Sequence, residues 1–181
     1  MNTPDKNTPN EYIALYENFL TDELYEECYN YAIDKYHSND MVFKTNNVWN
    51  NNIVFDSTPI LIHTPSYQNN ICKKIKAEIL HKTGLSCNFK NLHFYFFTPM
   101  SHISWHDDTD HDGGITIYLN KTWDKNSGGA FMFKNNDSIN ALYPIQNGAN
   151  VVVGNIEHCV SPTTKNSEIR MTIQCFFDFY K

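Results

Sequence analysis

The sequence is short of positive charge: across 181 residues, 14 Lys+Arg stand against 20 Asp+Glu, a formal net charge of −6. A protein that neutralises many phosphates needs a basic face, so the balance argues against a nucleic-acid partner. Long apolar runs are missing as well. Nothing approaches the roughly 20 consecutive apolar residues of a membrane span, and Met1-Asn2-Thr3-Pro4-Asp5-Lys6 does not read as a secretory signal. Paired cysteines are absent: Cys28, Cys72, Cys87, Cys159 and Cys175 are scattered and contain no Cys-x-x-Cys. That argues against a thiolate zinc site or a disulfide framework and for reduced, buried thiols in a cytoplasmic protein. Apolar mass is plentiful, with 41% hydrophobic and 14% aromatic residues, which excludes a disordered tail. Length and acidity suit one domain over residues 1–181, expected to be a monomer. The abundance of Asn, as in Asn50-Asn51-Asn52, reads as the mark of an AT-rich genome rather than of function.

Residues 1–10, with Pro4 and Pro9, read as a flexible lead-in. Thr21 as N-cap, then Asp22 and Glu23 in a first turn, predict a helix over 22–37 with Leu24, Cys28, Tyr31 and Ala32 on its apolar stripe. A second helix is expected from about Ser66 to Lys82, with Tyr67, Ile71, Ile75 and Ile79 as its stripe and Gly84 as C-terminal cap. The Asn-rich stretch 40–63, with Val42-Phe43 and Ile53-Val54-Phe55, suits strands or loops. From residue 88 the texture changes to short β-branched and aromatic runs at 92–97, 114–119, 130–133, 150–153 and 170–177, separated by turn residues such as Pro99, Gly128-Gly129, Gly154 and Pro162. Helices followed by many short strands indicate an α+β fold, with 11–87 as helical support and 88–181 as the core of a sandwich or barrel.

The stretch Ser104-Trp105-His106-Asp107-Asp108 carries the chemistry. On a strand, residues two apart share a face, so His106 and Asp108 point the same way. His158, just beyond the apolar run 150–153, is the best third member. Two imidazoles and one carboxylate occupy one face of an octahedral iron(II) and leave three positions open. A His-x-Asp pair alone also describes two polar residues on a solvated strand face, and Asp107, Asp110, His111 and Asp112 crowd the same loop. Asp108 is preferred because it lies two residues from His106. Arg170 opens the final apolar strand in a chain poor in arginine. A guanidinium there suits a planar carboxylate, and it equally suits an exposed strand end.

Residues 95–177 resemble the double-stranded β-helix of the 2-oxoglutarate- and iron(II)-dependent dioxygenases, most closely the prolyl hydroxylase branch. Tyr118-Leu119-Asn120-Lys121-Thr122-Trp123, followed by Ser127-Gly128-Gly129, is similar to a segment of the hypoxia-inducible-factor prolyl hydroxylases and their bacterial relatives. His106-Asp107-Asp108 ahead of it and His158 and Arg170 behind it fall in the family's order. The resemblance implies a jelly-roll or cupin-like barrel buttressed by the N-terminal helices. It implies iron(II) held by His106, Asp108 and His158, with 2-oxoglutarate as co-substrate and ascorbate as an accessory. Arg170 and Tyr118 would hold the distal carboxylate, Tyr95 would reach the co-substrate near the iron, and Thr172 would assist on the strand face of Arg170. Thr98-Pro99-Met100-Ser101 stands where relatives carry a glycine-rich turn, and the interval from His158 to Arg170 is longer than theirs.

The chemistry so implied is hydroxylation of an unactivated C–H bond, coupled to conversion of 2-oxoglutarate and dioxygen to succinate and carbon dioxide. The Tyr118–Trp123 segment points to a prolyl residue in a peptide or protein as substrate. A free amino acid or small metabolite is the alternative within the enzyme class. A non-catalytic cupin-like binding module is the alternative outside it, against which the intact set His106, Asp108, His158 and Arg170 argues. Two His and a carboxylate also suit a zinc hydrolase, in which Arg170 and Tyr118 would have no dicarboxylate to bind.

Overall fold

In the computed structural model of the chain, the described residues are 11–38, 42–44 and 60–180. The lead-in 1–10 and most of the Asn-rich stretch, Ile53-Val54-Phe55 included, lie outside them. In chain order the elements are β1 (Tyr12–Tyr16), α1 (Asp22–His37), β2 (Val42–Lys44), β3 (Ile60–His63), α2 (Asn70–Thr83), β4 (Cys87–Phe97), β5 (Ile103–His106), β6 (Gly113–Tyr118), β7 (Phe131–Asn135), β8 (Ser138–Leu142), β9 (Ala149–Val153), β10 (His158–Val160) and β11 (Arg170–Phe179). Antiparallel pairing gathers them into a seven-stranded sheet, β1-β9-β6-β11-β4-β3-β2, and a four-stranded sheet, β5-β10-β7-β8. This is the expected double-stranded β-helix with helices on one side. Among the described residues no helix is long and apolar enough to cross a membrane.

Alternation along the strands of the large sheet builds two cores. Phe94, Phe96, Ile115, Ile117, Val151, Val153, Ile173 and Cys175 pack with Leu24, Cys28 and Ala32 of α1 and Ile71, Ile75 and Ile79 of α2. The intervening residues Tyr95 and Phe97 join Ile60, Ile62, Ile103 and Val160 in a second cluster. The helices thus cover the outer face, and the inner face is left to the functional cavity. Capping fixes where the helices start and stop. Thr21 Oγ1 accepts from the Leu24 amide at 3.3 Å, and Gly84 ends α2 in the left-handed conformation at φ 66°, where a side chain is disfavoured.

Two expectations are corrected. Helix α2 begins at Asn70, because Asn69, not Ser66, is the cap: its Oδ1 accepts from the Ile71 amide at 2.9 Å. Tyr67 therefore lies before the helix, 64% exposed, its ring 3.7 Å below the Lys76 ammonium. Strand β5 ends at His106, so Asp108 stands in the following loop and not on the strand. The segment 11–87 also contains β1, β2 and β3 beside its two helices.

Candidate metal centre and co-substrate pocket

His106 closes β5 and His158 opens β10, and the antiparallel register places them directly opposite each other. Their ring centroids are 4.4 Å apart. His106 Nδ1 lies 2.7 Å from the Ser104 carbonyl, and His158 Nδ1 lies 2.8 Å from that of Ile156. A carbonyl oxygen only accepts, so each Nδ1 carries the proton and each Nε2 presents a lone pair. Both Nε2 atoms face the Asp108 carboxylate, at 3.9 Å for His106 and 3.6 Å for His158. The ligating atoms of the three residues all lie within 4.8 Å of one another. Burial, then the neighbouring His158, pushes the His106 pKa below its ordinary value, which favours the neutral imidazole that a metal requires.

The competing carboxylates are held elsewhere. Asp107, Asp110 and Asp112 contribute no atom to the cluster. Asp112 Oδ2 accepts from the Phe179 amide at 2.8 Å and its own amide donates to Phe177 O at 3.1 Å. His111 stacks on Phe176 with centroids 4.9 Å apart. These bonds fasten the far end of loop 107–112 to β11, and the His111 amide donates to Asp108 O at 2.8 Å. The loop returns Asp108 to the two imidazoles although the strand has ended.

A cavity runs from this cluster to Arg170. Arg170 is the chain's sole arginine and is 1% exposed. Its guanidinium carbon lies 4.6 Å from the Phe97 ring centroid and 5.3 Å from that of Tyr118. Its Nε has no hydrogen-bond partner among the described residues, and no described carboxylate pairs with it. Burial pulls its pKa down, opposed by the Tyr118 phenol. A buried cation without an anion is costly unless a ligand supplies one. Tyr95 and Thr172, which face each other across β4 and β11, line the same cavity. Burial, then the Asp108 charge, drives the Tyr95 pKa far up, keeping a neutral phenol beside the metal cluster. Tyr118 lies against the Arg170 guanidinium. It is not part of the cavity lining, and its Oη donates to Asn150 Oδ1 at 3.0 Å.

Residues without an expected role complete the site. Thr116 and Gln174 line the cavity, with Thr116 Oγ1 donating to Gln174 Oε1 at 2.6 Å. Their signal in sequence was a polar residue inside an apolar strand. Asn120, quoted above only as part of a motif, brackets Arg170: its Nδ2 donates to Ile169 O at 2.8 Å and its Oδ1 accepts from the Met171 amide at 2.7 Å. Gly129 (φ 68°) lets the backbone pass behind the guanidinium, since a Cβ there would stand 2.9 Å from Arg170 Cδ and 3.1 Å from Thr163 Cγ2. Gly129→Ala is expected to lower stability by about 1–3 kcal/mol through the left-handed backbone and the clash with Arg170, and urea unfolding checks the effect.

The donor set fits a ferrous ion: two neutral nitrogens and one carboxylate, and a buried cation behind them for an anionic co-substrate. Residues 91–178 match the family model described as the 2OG-Fe(II) oxygenase superfamily, whose members use Fe(II) and 2-oxoglutarate. No curated protein matches the chain. Among solved structures, a prolyl-4-hydroxylase of Pseudomonas putida is similar at TM-score 0.72 and 16% identity, over 95% of each chain. A Trichoplax adhaerens prolyl hydroxylase, in complex with a peptide fragment of the hypoxia-inducible-factor oxygen degradation domain, gives TM-score 0.69 and 17% identity, covering 92% of this chain and 83% of that one. The non-heme α-ketoglutarate-dependent epimerase SnoN from nogalamycin biosynthesis gives TM-score 0.69 and 9% identity, over 93% of this chain and 77% of that one. At these identities the likeness is one of fold.

Proposed function

We propose that the protein is a 2OG-Fe(II) oxygenase, the family whose model residues 91–178 match, and that it hydroxylates a prolyl residue in a peptide or protein. For each C–H converted to C–OH, one 2-oxoglutarate and one dioxygen become one succinate and one carbon dioxide. The observation that carries the reading is a single cavity with His106, Asp108 and His158 on its wall and a buried Arg170, with no described carboxylate beside it, behind them.

In this reading His106, Asp108 and His158 hold iron(II). The metal, with co-substrate and dioxygen bound, supplies the oxidative decarboxylation and the attack on carbon. The chain's own residues orient and shield. Arg170 fixes the distal carboxylate in a plane. Tyr95 offers a phenol proton near the cluster, and Thr172 offers a hydroxyl two residues beyond Arg170 on the same strand face. Phe97, Ile103, Phe131 and Val160 make the remaining walls apolar, which excludes water.

Prolyl specificity is supported by the Tyr118–Trp123 and Gly128-Gly129 resemblance, and by a fold shared with two prolyl hydroxylases. The similar fold of SnoN keeps a small-molecule substrate as the second reading. Anaerobic addition of iron(II) and 2-oxoglutarate is expected to give a visible charge-transfer band, and a colourless mixture at saturation overturns the oxygenase reading. Aerobic incubation of lysate proteins with enzyme, iron(II), ascorbate and 2-oxoglutarate, followed by peptide mass spectrometry, is expected to show a one-oxygen gain on a defined proline. Succinate formation stimulated only by the small-molecule fraction of the lysate decides for the second reading.

A further inference from the structure

The inner face of the large sheet carries a polar group to which the site above gives no part. Asn150 lies in β9, 1% exposed, directly across from Thr116 on β6. Its Oδ1 accepts from Tyr118 Oη at 3.0 Å, and its Nδ2 has no partner among the described residues. An amide NH₂ so deeply buried normally finds an acceptor. Tyr118, its neighbour, packs against the Arg170 guanidinium, with the guanidinium carbon 5.3 Å from the ring centroid. Arg170 Nε is another buried donor without a partner among the described residues. The arrangement holds spare donors around a cation, together with a phenol whose proton is engaged by an amide oxygen.

The two ends of a carboxamide have nearly the same shape. Half a turn about its terminal bond places Nδ2 where Oδ1 stands. The amide then donates to Tyr118 Oη, and the phenol proton becomes available to another acceptor without movement of the main chain. Asn150 Oδ1 is the acceptor that the described hydrogen bonds give Tyr118 Oη, so the half-turn leaves the buried O–H in need of another acceptor. A carboxylate at Arg170 supplies it, and the resulting chain, amide to phenol to carboxylate, is polarised in one direction.

We propose that Asn150 is a positioning residue for the co-substrate: when the distal carboxylate of 2-oxoglutarate reaches Arg170, the Asn150 amide turns over, donates to Tyr118 Oη and commits the Tyr118 proton to that carboxylate. The inference rests on the co-substrate reading of Arg170 given above. It differs from a merely structural role, in which Asn150 only holds the Tyr118 ring in place.

Anaerobic binding titrations of the iron(II)-loaded protein test it, using 2-oxoglutarate and, as a 2-oxo acid without a distal carboxylate, 2-oxobutanoate. Tyr118→Phe is expected to weaken 2-oxoglutarate about tenfold or more, and Asn150→Leu about three- to tenfold, with 2-oxobutanoate unchanged in both. The double variant is expected to bind like Tyr118→Phe alone, because the amide acts only through the phenol. Three results overturn the proposal: wild-type affinity in Asn150→Leu, multiplied effects in the double variant, or equal weakening of both acids. Where circular dichroism shows that Asn150→Leu has not folded, Asn150→Ser is read instead, its hydroxyl being too short to reach the phenol, with the same expected pattern. An Arg170→Met protein that binds 2-oxoglutarate like wild type sinks the underlying co-substrate reading, an outcome distinct from any of these three.

Discussion

Asp108→Ala is expected to abolish succinate formation and to weaken iron(II) binding at least about 100-fold, the upper end of what even an outer-sphere substitution costs a metal site. The neighbouring Asp107→Ala is expected to stay within about twofold of wild type, the small change ordinary for a residue that touches no ligand. The contrast follows from the geometry. Asp108 presents one oxygen to each imidazole, at 3.9 and 3.6 Å, and it is the carboxylate that completes the cluster. Without it two neutral nitrogens remain with no compensating charge for a dication. The measurement is iron(II) affinity by anaerobic titration beside succinate release. If Asp107→Ala loses iron and Asp108→Ala keeps it, the loop approaches the histidines in a different register from the one described.

How much of this was legible in the sequence depends on how each residue reaches its place. The helices were readable because their signals are local: Thr21 and the acidic first turn for α1, Gly84 for the end of α2. The start of α2 was misjudged because Ser66 and Asn69 are both good caps, and the Asn69 side chain settles the matter by bonding the Ile71 amide. β4, β6, β7, β9 and β11 showed as apolar runs. β10 has three residues and β8 is a five-residue edge strand of the small sheet, so neither stands out as a long β-branched or aromatic run. β1 is fixed by pairing with β9, a contact far away in the chain. Asp108 is instructive, since it was chosen by a strand argument that does not apply: the strand stops at His106, and tertiary bonds of the loop bring the carboxylate back to the two imidazoles. Asn120, Gln174 and Asn150 were given no role for a related reason. Their partners, Thr116 for Gln174, Tyr118 for Asn150, and Ile169 and Met171 for Asn120, lie 32 or more residues away in the chain, and only the fold shows that they stand beside Arg170 or its cavity.

Arg170→Met should separate function from stability. The guanidinium is buried against Phe97 and Tyr118 with Nε unpartnered and no described carboxylate beside it. Two ring faces recover part of its lost hydration, on the order of 0.5–2 kcal/mol each, which is less than an anion would provide. Replacing a buried charge by an apolar side chain of similar volume is commonly neutral or stabilising by about 1–4 kcal/mol. Ligand-free Arg170→Met is therefore expected to unfold at the same urea concentration as wild type or a higher one. The same substitution is expected to raise the 2-oxoglutarate requirement about 100-fold or more, because a desolvated carboxylate loses its charged partner, while iron(II) affinity changes little. Linkage makes the trade visible in one experiment: 2-oxoglutarate at 100 times its dissociation constant stabilises wild type by about 2.7 kcal/mol, and at that concentration the variant gains almost none of this. A variant that loses stability and iron together, with its response to 2-oxoglutarate intact, would make Arg170 a structural residue and leave the cavity without its anion site.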